Sequence, residues 1–361
     1  MPTYERDAIR PFVLGNFEEM LEATAKHPAM IFYLDNYRSY APDTVWTLAQ
    51  IKSIEEMRSN NRPEAEIQKR IQKQKNAREN NRRKGKKSKY RGINENYARE
   101  LLELHTLGVD GGYTQRDIGE VARVLTGWSV FPAHQQEKRM EERMAHNQRR
   151  GFVREGDFLF RGDHHDANAK TVLGRKFPAN RGLEEGEELL RFLALHPSTA
   201  KHLSTKLATR FIDDNPPQSL IDRMAESYLD SGGNISSIMR TLVESKEFWQ
   251  YRRSKIKSPF ELVASSLRAL NVKLKNPRQV QQWIFRMGQN VYGYNAPSGY
   301  PDRAEAWINT GALLNRMKFG LSLAAGKIKG VRVDLPKLNN YHEPESAEAA
   351  LMTYAELLLP E

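Results

Sequence analysis

Residues 94–128 read NENYARELLELHTLGVDGGYTQRDIGEVARVLTGW. Their apolar side chains fall three or four residues apart in two sets, which is the spacing of two buried helices. Between the sets, residues 108–112 (GVDGG) are rich in glycine and must turn. Thr114, followed three residues later by Asp117, predicts the N-cap of the second helix. The stretch therefore predicts a helical hairpin with these apolar residues: Leu101, Leu102, Leu104 and Leu107 on the first helix, and Ile118, Val121, Ala122, Leu125 and Trp128 on the second.

The polar side of the predicted hairpin carries two pairs of acids, each three residues apart and so on one helix face. These acids are Glu100 and Glu103 on the first helix, and Asp117 and Glu120 on the second. Four unpaired carboxylates that faced one another would repel and raise their pKa values. A divalent cation, or Arg99 and Arg123, must therefore neutralise them. The hairpin alone is two positive charges short, and Lys170, Lys206, Arg210 or a metal could supply them.

The composition excludes several classes of chemistry. The 361 residues include no cysteine, which excludes disulfides, zinc–thiolate sites and thiol catalysis. No apolar run is long enough for a transmembrane helix. The first twelve residues, MPTYERDAIRPF, have no apolar core of signal-peptide length. Neither a Gly-rich phosphate loop, a dinucleotide fingerprint nor a Ser-centred nucleophile elbow is present, so no nucleotide cofactor is expected.

The net charge of +11 comes from one local tract. The whole chain has 56 basic and 45 acidic residues, and residues 69–91 alone hold twelve basic residues against the single acid Glu79. The first half of the tract has strong helix formers but hardly any apolar residue to hold it on a core. The tract predicts either a tolerated basic insertion or a polyanion-binding site. The insertion is favoured, and nucleic acid is not an expected partner, because Tyr90 is the one aromatic residue of the tract. The candidate polyanion-binding residues are Lys69, Arg70, Arg82, Arg83, Lys84, Lys86, Lys87, Lys89 and Arg91.

Residues 151–162, GFVREGDFLFRG, alternate phenylalanine with polar residues and predict a small β-hairpin. The chain then enters Asp163-His164-His165-Asp166, where imidazole and carboxylate groups suit a divalent metal or a general base. Alternatively, His165 and Asp166 hold this loop on the helical hairpin through hydrogen bonds, with Lys170 paired to a carboxylate. The candidate metal ligands are Glu100, Glu103, Asp117, Glu120, His165 and Asp166. The candidate polar network is formed by Asn94, Asn96, Arg99, Arg123, Lys170, Lys206 and Arg210.

Most of the remaining chain has helical spacing with recognisable caps. The sequence therefore predicts a mainly α fold: one multi-helix globular domain over residues 1–330, with one small β-hairpin. Long polar insertions are predicted in this domain, a basic one at residues 62–92 and a charged one at residues 132–151. Residues 331–361 are predicted to be a C-terminal loop and helix. This helix has little to pack on, which suggests a truncated C-terminus.

Several blocks of the sequence are similar to a large bacterial family. The hallmark block is Asn94–Gly108 with Gly112-Tyr113-Thr114, Asp117, Ala122-Arg123 and Leu125-Thr126-Gly127-Trp128; further blocks include His165-Asp166, Lys170, Leu173-Gly174, His196–Ala200 and Gly299–Asp302. Through these blocks, over roughly residues 8–320, the chain resembles the family catalogued as domain of unknown function 1800. The resemblance implies a bacterial protein whose family has no established biochemical role.

The same resemblance carries further expectations. Many members of the family look exported, although this chain shows no signal peptide. Members often occur beside another family, domain of unknown function 1501, which implies a protein of that family as a partner. Compared with the family pattern, the chain is expected to lack an N-terminal segment and the extreme C-terminus.

The sequence leaves three functional hypotheses open. The first is a helical protein with an acidic, His- and Arg-containing polar centre that binds a divalent metal. The second is a non-enzymatic scaffold or partner-binding protein whose centre is a salt-bridge network, which direct carboxylate–guanidinium pairing without an open cavity would favour. The third is a polyanion or nucleic-acid binder that uses residues 69–91. Whether the protein is an enzyme is left undecided by the sequence.

Overall fold

The computed structural model describes residues 2–83, 92–132, 137–147, 150–251 and 255–358. The chain forms two compact units, Met1–Lys206 with Gln218–Glu244, and Leu207–Pro217 with Ser245–Glu361. Compactness alone does not define an independently folding domain. The predicted single domain over residues 1–330, with its two insertions and a separate C-terminal segment, therefore stays a prediction.

The first unit is built mainly from α-helices, several of which begin at a side-chain cap. Asn16 and Asn234, for example, each accept a hydrogen bond from a backbone N–H in the first turn of the helix that follows. The helices are α1 (Pro2–Tyr4), α2 (Phe17–Lys26), α3 (Pro28–Tyr33), α4 (Leu48–Ser59), α5 (Glu64–Arg83), α6 (Asn96–Glu100), α7 (Gln115–Val124), α8 (Glu137–Asn147), α9 (Leu183–Ala194), α10 (Pro197–Phe211), α11 (Gln218–Asp230) and α12 (Ile235–Val243). The boundary between the units falls within α10.

The predicted helical hairpin is confirmed. Helix α6 passes directly into a π-helical turn at Leu101–His105. Helix α7 starts at a capping box in which Thr114 and Asp117 exchange hydrogen bonds. Of the nine predicted apolar side chains, all are buried except Leu104, which is partly exposed. The hairpin therefore forms part of the core of the first unit.

Short antiparallel strands lie beside the hairpin. The predicted β-hairpin is confirmed, and a third strand pairs with it in the order β1-β3-β2. Two further strands form a separate two-stranded sheet, so the first unit holds more sheet than the one hairpin predicted. The additional strands have three residues each, too few for an alternating pattern to be recognised. The strands are β1 (Trp128–Val130), β2 (Phe152–Glu155), β3 (Phe158–Arg161), β4 (Lys170–Val172) and β5 (Arg175–Phe177).

Helix α5 covers the first half of the basic tract. Its Ile67 is 1% exposed, so the helix is held on the core, contrary to the expectation that it lacks an apolar anchor. Lys69 and Arg70 are exposed, and the backbone of Arg82 and Arg83 forms the end of the helix. The other predicted polyanion-binding residues lie outside the described residues: Lys84, Lys86, Lys87, Lys89 and Arg91.

The second unit has its own apolar core. Its helices are α13 (Lys246–Gln250), α14 (Pro259–Ala269), α15 (Arg278–Arg286), α16 (Thr310–Ala324), α17 (Leu335–Leu338) and α18 (Ala347–Leu358), and its strands are β6 (Lys273–Leu274) and β7 (Val331–Arg332). The core is formed by Val263, Val280, Ile284, Met287, Phe319, Leu323, Ile328 and Val331.

The protein is therefore mainly α, as predicted, with a few short antiparallel strands. A membrane-spanning helix must be about 20 residues long and predominantly apolar. Among the described residues, no helix meets both requirements.

Candidate functional site

The acidic side chains of α7 bind backbone N–H groups of the β4–β5 hairpin. Leu173 donates its backbone N–H to Oδ1 of Asp117 over 2.7 Å, and Thr171 donates its own to Oε2 of Glu120 over 3.0 Å. Burial opposes the charge of Asp117, but hydrogen bonds from Thr114 and Leu173 outweigh it and hold the pKa of the carboxyl below its usual value. These two acids thus fix β4 on the hairpin.

Arg123 joins two carboxylates from different parts of the unit. Its Nε donates to Oδ2 of Asp166 over 2.8 Å, and its Nη1 donates to Oε1 of Glu120 over 2.8 Å. Its Nη2 also donates to the carbonyl of Ala169 over 3.3 Å. Burial disfavours the guanidinium charge, but Asp166 and then Glu120 more than compensate and raise the pKa of Arg123. Asp166 is fully buried, so this pairing satisfies a charge that water does not reach.

A second ion pair lies deeper in the unit. Nζ of Lys170 donates to Oε2 of Glu185 over 2.8 Å and to the carbonyl of Asp166 over 2.6 Å. Both side chains of the pair are 1% exposed. Burial lowers the pKa of Lys170, while the charge of Glu185 and its hydrogen bond act in the opposite direction. Lys170 therefore ties α9, which carries Glu185, to the start of β4.

His165 lies beside this pair and is fully buried. Its Nδ1 is 2.8 Å from the carbonyl oxygen of Thr126. Because a carbonyl only accepts hydrogen bonds, Nδ1 carries the ring proton and donates it there. Its Nε2 lies 3.1 Å from Oε2 of Glu185 and has no hydrogen-bond partner among the described residues.

The segment Asp163-His164-His165-Asp166 divides between two environments. His165 and Asp166 are fully buried in the contacts given above. Asp163 and His164 instead line a cleft at the surface of the first unit. The four residues are adjacent in the sequence, but two belong to the buried polar centre and two to the surface cleft.

The remaining residues of the predicted polar network do not join this centre. Arg99 donates to Gln115 over 3.0 Å and lies 3.8 Å from Glu95, at the exposed side of the hairpin. Asn94 acts locally: its side chain donates to the carbonyl of Leu34 over 2.9 Å and accepts the backbone N–H of Asn96 over 3.0 Å.

The two other cations predicted to serve the hairpin lie in different places, Lys206 beside His105 of the hairpin and Arg210 in the second unit. Lys206 lies near His105 and His202, where its charge contributes to lowering the pKa of both imidazoles, after burial as the larger cause. Arg210 belongs to the second unit, where it pairs with Glu261 and Asp302.

The six candidate metal ligands are dispersed among these contacts. Glu100 and Glu103 lie near each other, and burial, with the charge of Glu103 second, raises the pKa of Glu100. Within the described ranges, no group of three or more His, Asp and Glu side chains is placed to hold a metal ion. Metal binding by the six residues stays a prediction.

Glu185 is the central residue that the sequence reasoning missed. It lies in LEEGEELLRFLA, the sequence of α9, whose buried face includes Leu189, Leu190 and Leu193. Glu185 precedes Leu189 by four residues and so shares that face. An acid within an apolar stripe indicates a buried charge that needs a partner, and this signal was present in the sequence.

Fold and site together define a mainly α protein whose buried polar centre combines carboxylates, arginine, lysine and histidine. The model of a family described as "Protein of unknown function (DUF1800)" matches residues 1–361. The chain belongs to this family. Neither the curated proteins nor the solved structures include a match to the chain.

Proposed function

We propose that this protein is a non-enzymatic scaffold or partner-binding protein, and that its buried polar centre is a structural ion-pair network. The observation that carries the proposal is the position of Arg123, which bridges Glu120 and Asp166. This is the direct carboxylate–guanidinium pairing expected of a structural network.

The contacts that the cations of the centre already make support the same conclusion. Arg123 and Lys170 carry two positive charges among the carboxylates of Glu120, Asp166 and Glu185. Asp117 is satisfied by hydrogen bonds instead. A divalent cation would have to displace a guanidinium or an ammonium group that already makes close contacts, and would leave that displaced charge without its partner.

In this proposal, the ion-pair network fixes the position of a loop. It holds residues 165–173 between α7 and α9, so that this loop presents a fixed surface. A rigid surface reduces the entropy lost on binding, which favours recognition of a protein partner. The partner implied by the family resemblance is a protein of the domain of unknown function 1501 family.

Metal analysis tests the structural role of the centre. We expect the purified full chain to hold no stoichiometric metal, and its thermal unfolding to be unchanged by a chelator or by added Mg²⁺, Mn²⁺ or Zn²⁺. Arg123→Met should lower the melting temperature in every one of these conditions. One bound metal per chain, lost in Glu120→Gln, would establish the metal site in place of the ion-pair network.

Binding to the partner is tested separately. The full chain is mixed with a purified protein of the domain of unknown function 1501 family encoded beside a member of this family, and complex formation is followed by size-exclusion chromatography with light scattering. Co-elution at a fixed stoichiometry supports the partner proposal. Separate elution at concentrations well above the micromolar range would overturn it and leave the ion-pair network unaffected.

A further inference from the structure

A cleft lies on the first unit next to the basic helix α5. Its volume is about 430 Å³, which is within the range of sites for small molecules. Helix α5 contributes Gln74, α8 contributes Arg143, and β3 contributes Arg161. A smaller hollow of about 210 Å³ adjoins it, shares Gln74 and Arg143, and adds Arg70 and Arg150. The two hollows together form one arginine-rich groove.

Two guanidinium groups converge on one carboxylate in the wall of this cleft. Nη2 of Arg143 donates to Oδ2 of Asp163 over 2.5 Å. Nε and Nη2 of Arg161 donate to Oδ1 and Oδ2 of the same carboxylate over 3.2 and 3.1 Å. Burial opposes the charge of Asp163, but His164, Arg161 and Arg143 outweigh it and hold its pKa below the usual value. Two guanidinium groups therefore share one carboxylate at this point, and the groove as a whole is lined by four arginines and two aspartates: Arg70, Arg143, Arg150, Arg161, Asp43 and Asp163.

The side chains at this point differ in how far they reach the solvent. Arg143 is 47% exposed, whereas Arg161 is 15% and Asp163 is 23% exposed. Arg143 is therefore the arginine that can turn further from Asp163 into the cleft, while Arg161 can exchange its acceptor at the cleft wall. Guanidinium groups bind carboxylate and phosphate in the same forked geometry. A phosphate, with its greater charge, would compete with Asp163 for both arginines.

The wall beside the arginines is formed by two aromatic rings. The rings of Tyr40 and His164 lie with their centroids 4.0 Å apart and line the cleft together with Ala41 and Pro42. The two ring planes are tilted by 50°, and the wall offers a partly apolar surface next to the charged groups. A bare anion would not use it, whereas the ring of a sugar would.

We propose that this cleft binds a small phosphate ester, such as a sugar phosphate. The phosphate group contacts Arg143 and Arg161 in place of Asp163, and the organic part lies against Tyr40 and His164. The site is distinct from the buried ion-pair network, and binding there depends neither on a metal nor on a protein partner.

The test is isothermal titration calorimetry on the full chain at fixed ionic strength, with glucose 6-phosphate, inorganic phosphate and glucose as the probes. We expect glucose 6-phosphate to bind more tightly than inorganic phosphate, and glucose to show no measurable binding. Arg143→Met and Arg161→Met should each weaken glucose 6-phosphate binding at least about tenfold, since each removes a charge-assisted hydrogen bond. Arg240→Met, on the exposed side of α12, is the matched control and should leave the affinity unchanged.

Asp163→Asn should change the affinity for glucose 6-phosphate in the opposite direction. It removes the competing charge while keeping the size of the side chain, so glucose 6-phosphate should bind several-fold more tightly. If Arg161→Met fails to fold, Asp163→Asn and Arg143→Met still test the proposal, since their expected effects on the affinity are opposite.

Three results would overturn the proposal. The first is no binding of glucose 6-phosphate at millimolar concentration. The second is equal affinity for glucose 6-phosphate and inorganic phosphate, which would remove the role of the aromatic wall. The third is binding that survives Arg143→Met but is lost when Lys84, Lys86, Lys87 and Lys89 are changed to glutamine, which would place the anion on the basic tract.

Discussion

The buried pair of Lys170 and Glu185 allows a quantitative test of the ion-pair network. Lys170→Met removes the ammonium group but keeps most of the side-chain volume. Glu185 is 1% exposed, so its carboxylate would lose its close cationic partner where water cannot replace it. Breaking one half of a buried ion pair costs about 3–5 kcal/mol. We therefore expect Lys170→Met to lower the free energy of unfolding by about that amount.

Glu185→Met and the double variant Lys170→Met/Glu185→Met complete a double-mutant cycle. Glu185→Met alone should cost about as much, because Lys170 then loses its close carboxylate and, among the described residues, donates to the carbonyl of Asp166. The double variant buries two apolar side chains and leaves that carbonyl unsatisfied, which costs about 1–3 kcal/mol. The two single losses should therefore exceed the loss of the double variant by about 3 kcal/mol or more.

Urea unfolding followed by circular dichroism measures all four proteins at one pH. The matched control is the exposed pair Arg240 and Glu244, whose charged atoms are 3.9 Å apart with side chains 75% and 67% exposed. The same cycle there should give a coupling energy of about 0.3–0.5 kcal/mol. Losses at Lys170 and Glu185 that add within about 0.5 kcal/mol would refute the reasoning, since independent side chains behave in that way.

Three further predictions concern the packing, the charge and the cap of the first unit. Gly186→Ala should lower the free energy of unfolding by about 1–3 kcal/mol or more, because a Cβ there would lie 2.3 Å from the ring of Trp128. Gly119→Ala on α7 is its control: the added Cβ would approach no atom closer than 3.9 Å, so this change should raise the free energy of unfolding by up to about 1 kcal/mol. Burial, with smaller effects of neighbouring cations, lowers the pKa of His105 from 6.5 to about 4. Between pH 6.5 and pH 4 the unfolded chain thus binds more protons than the folded chain, so the free energy of unfolding falls as the pH drops, by up to about 3 kcal/mol. His105→Asn should make the urea midpoint depend less on pH in this range. Thr114→Ala removes the N-cap of α7 and should cost about 1 kcal/mol in urea unfolding, whereas an unchanged midpoint would show that the capping box contributes nothing.

The helical hairpin was predictable because its signals are local. Apolar spacing and the pair Thr114 and Asp117 lie within a few residues of one another, and the structure confirms both. Ile67 shows the limit of this reasoning, since one apolar residue among many charges gives no periodic pattern. Its burial depends on what α5 meets in the folded chain.

The polar centre was predictable in its components but not in its pairs. The sequence raised the possibility that Arg123 neutralises acids of the hairpin; in the structure Arg123 contacts Glu120 and also Asp166, which is 43 residues away. Arg99 was expected beside it, but its orientation on α6 directs it to Gln115. The apolar face of α9 indicated that Glu185 is buried, but its partner Lys170 is set by tertiary packing, which neither spacing nor composition encodes.

The burial of Lys170 and Glu185 also bears on how the first unit folds. Neither charge can enter the apolar interior alone without a large desolvation cost, so α9 cannot dock stably before β4 arrives, and β4 cannot settle before α9. The two elements are separated in the chain by β5 and a turn, yet the buried ion pair favours their docking together. A folding intermediate with one of them in place and the other detached is thereby disfavoured. The ion pair thus couples the docking of α9 to the docking of β4 and makes the folding of the first unit more cooperative.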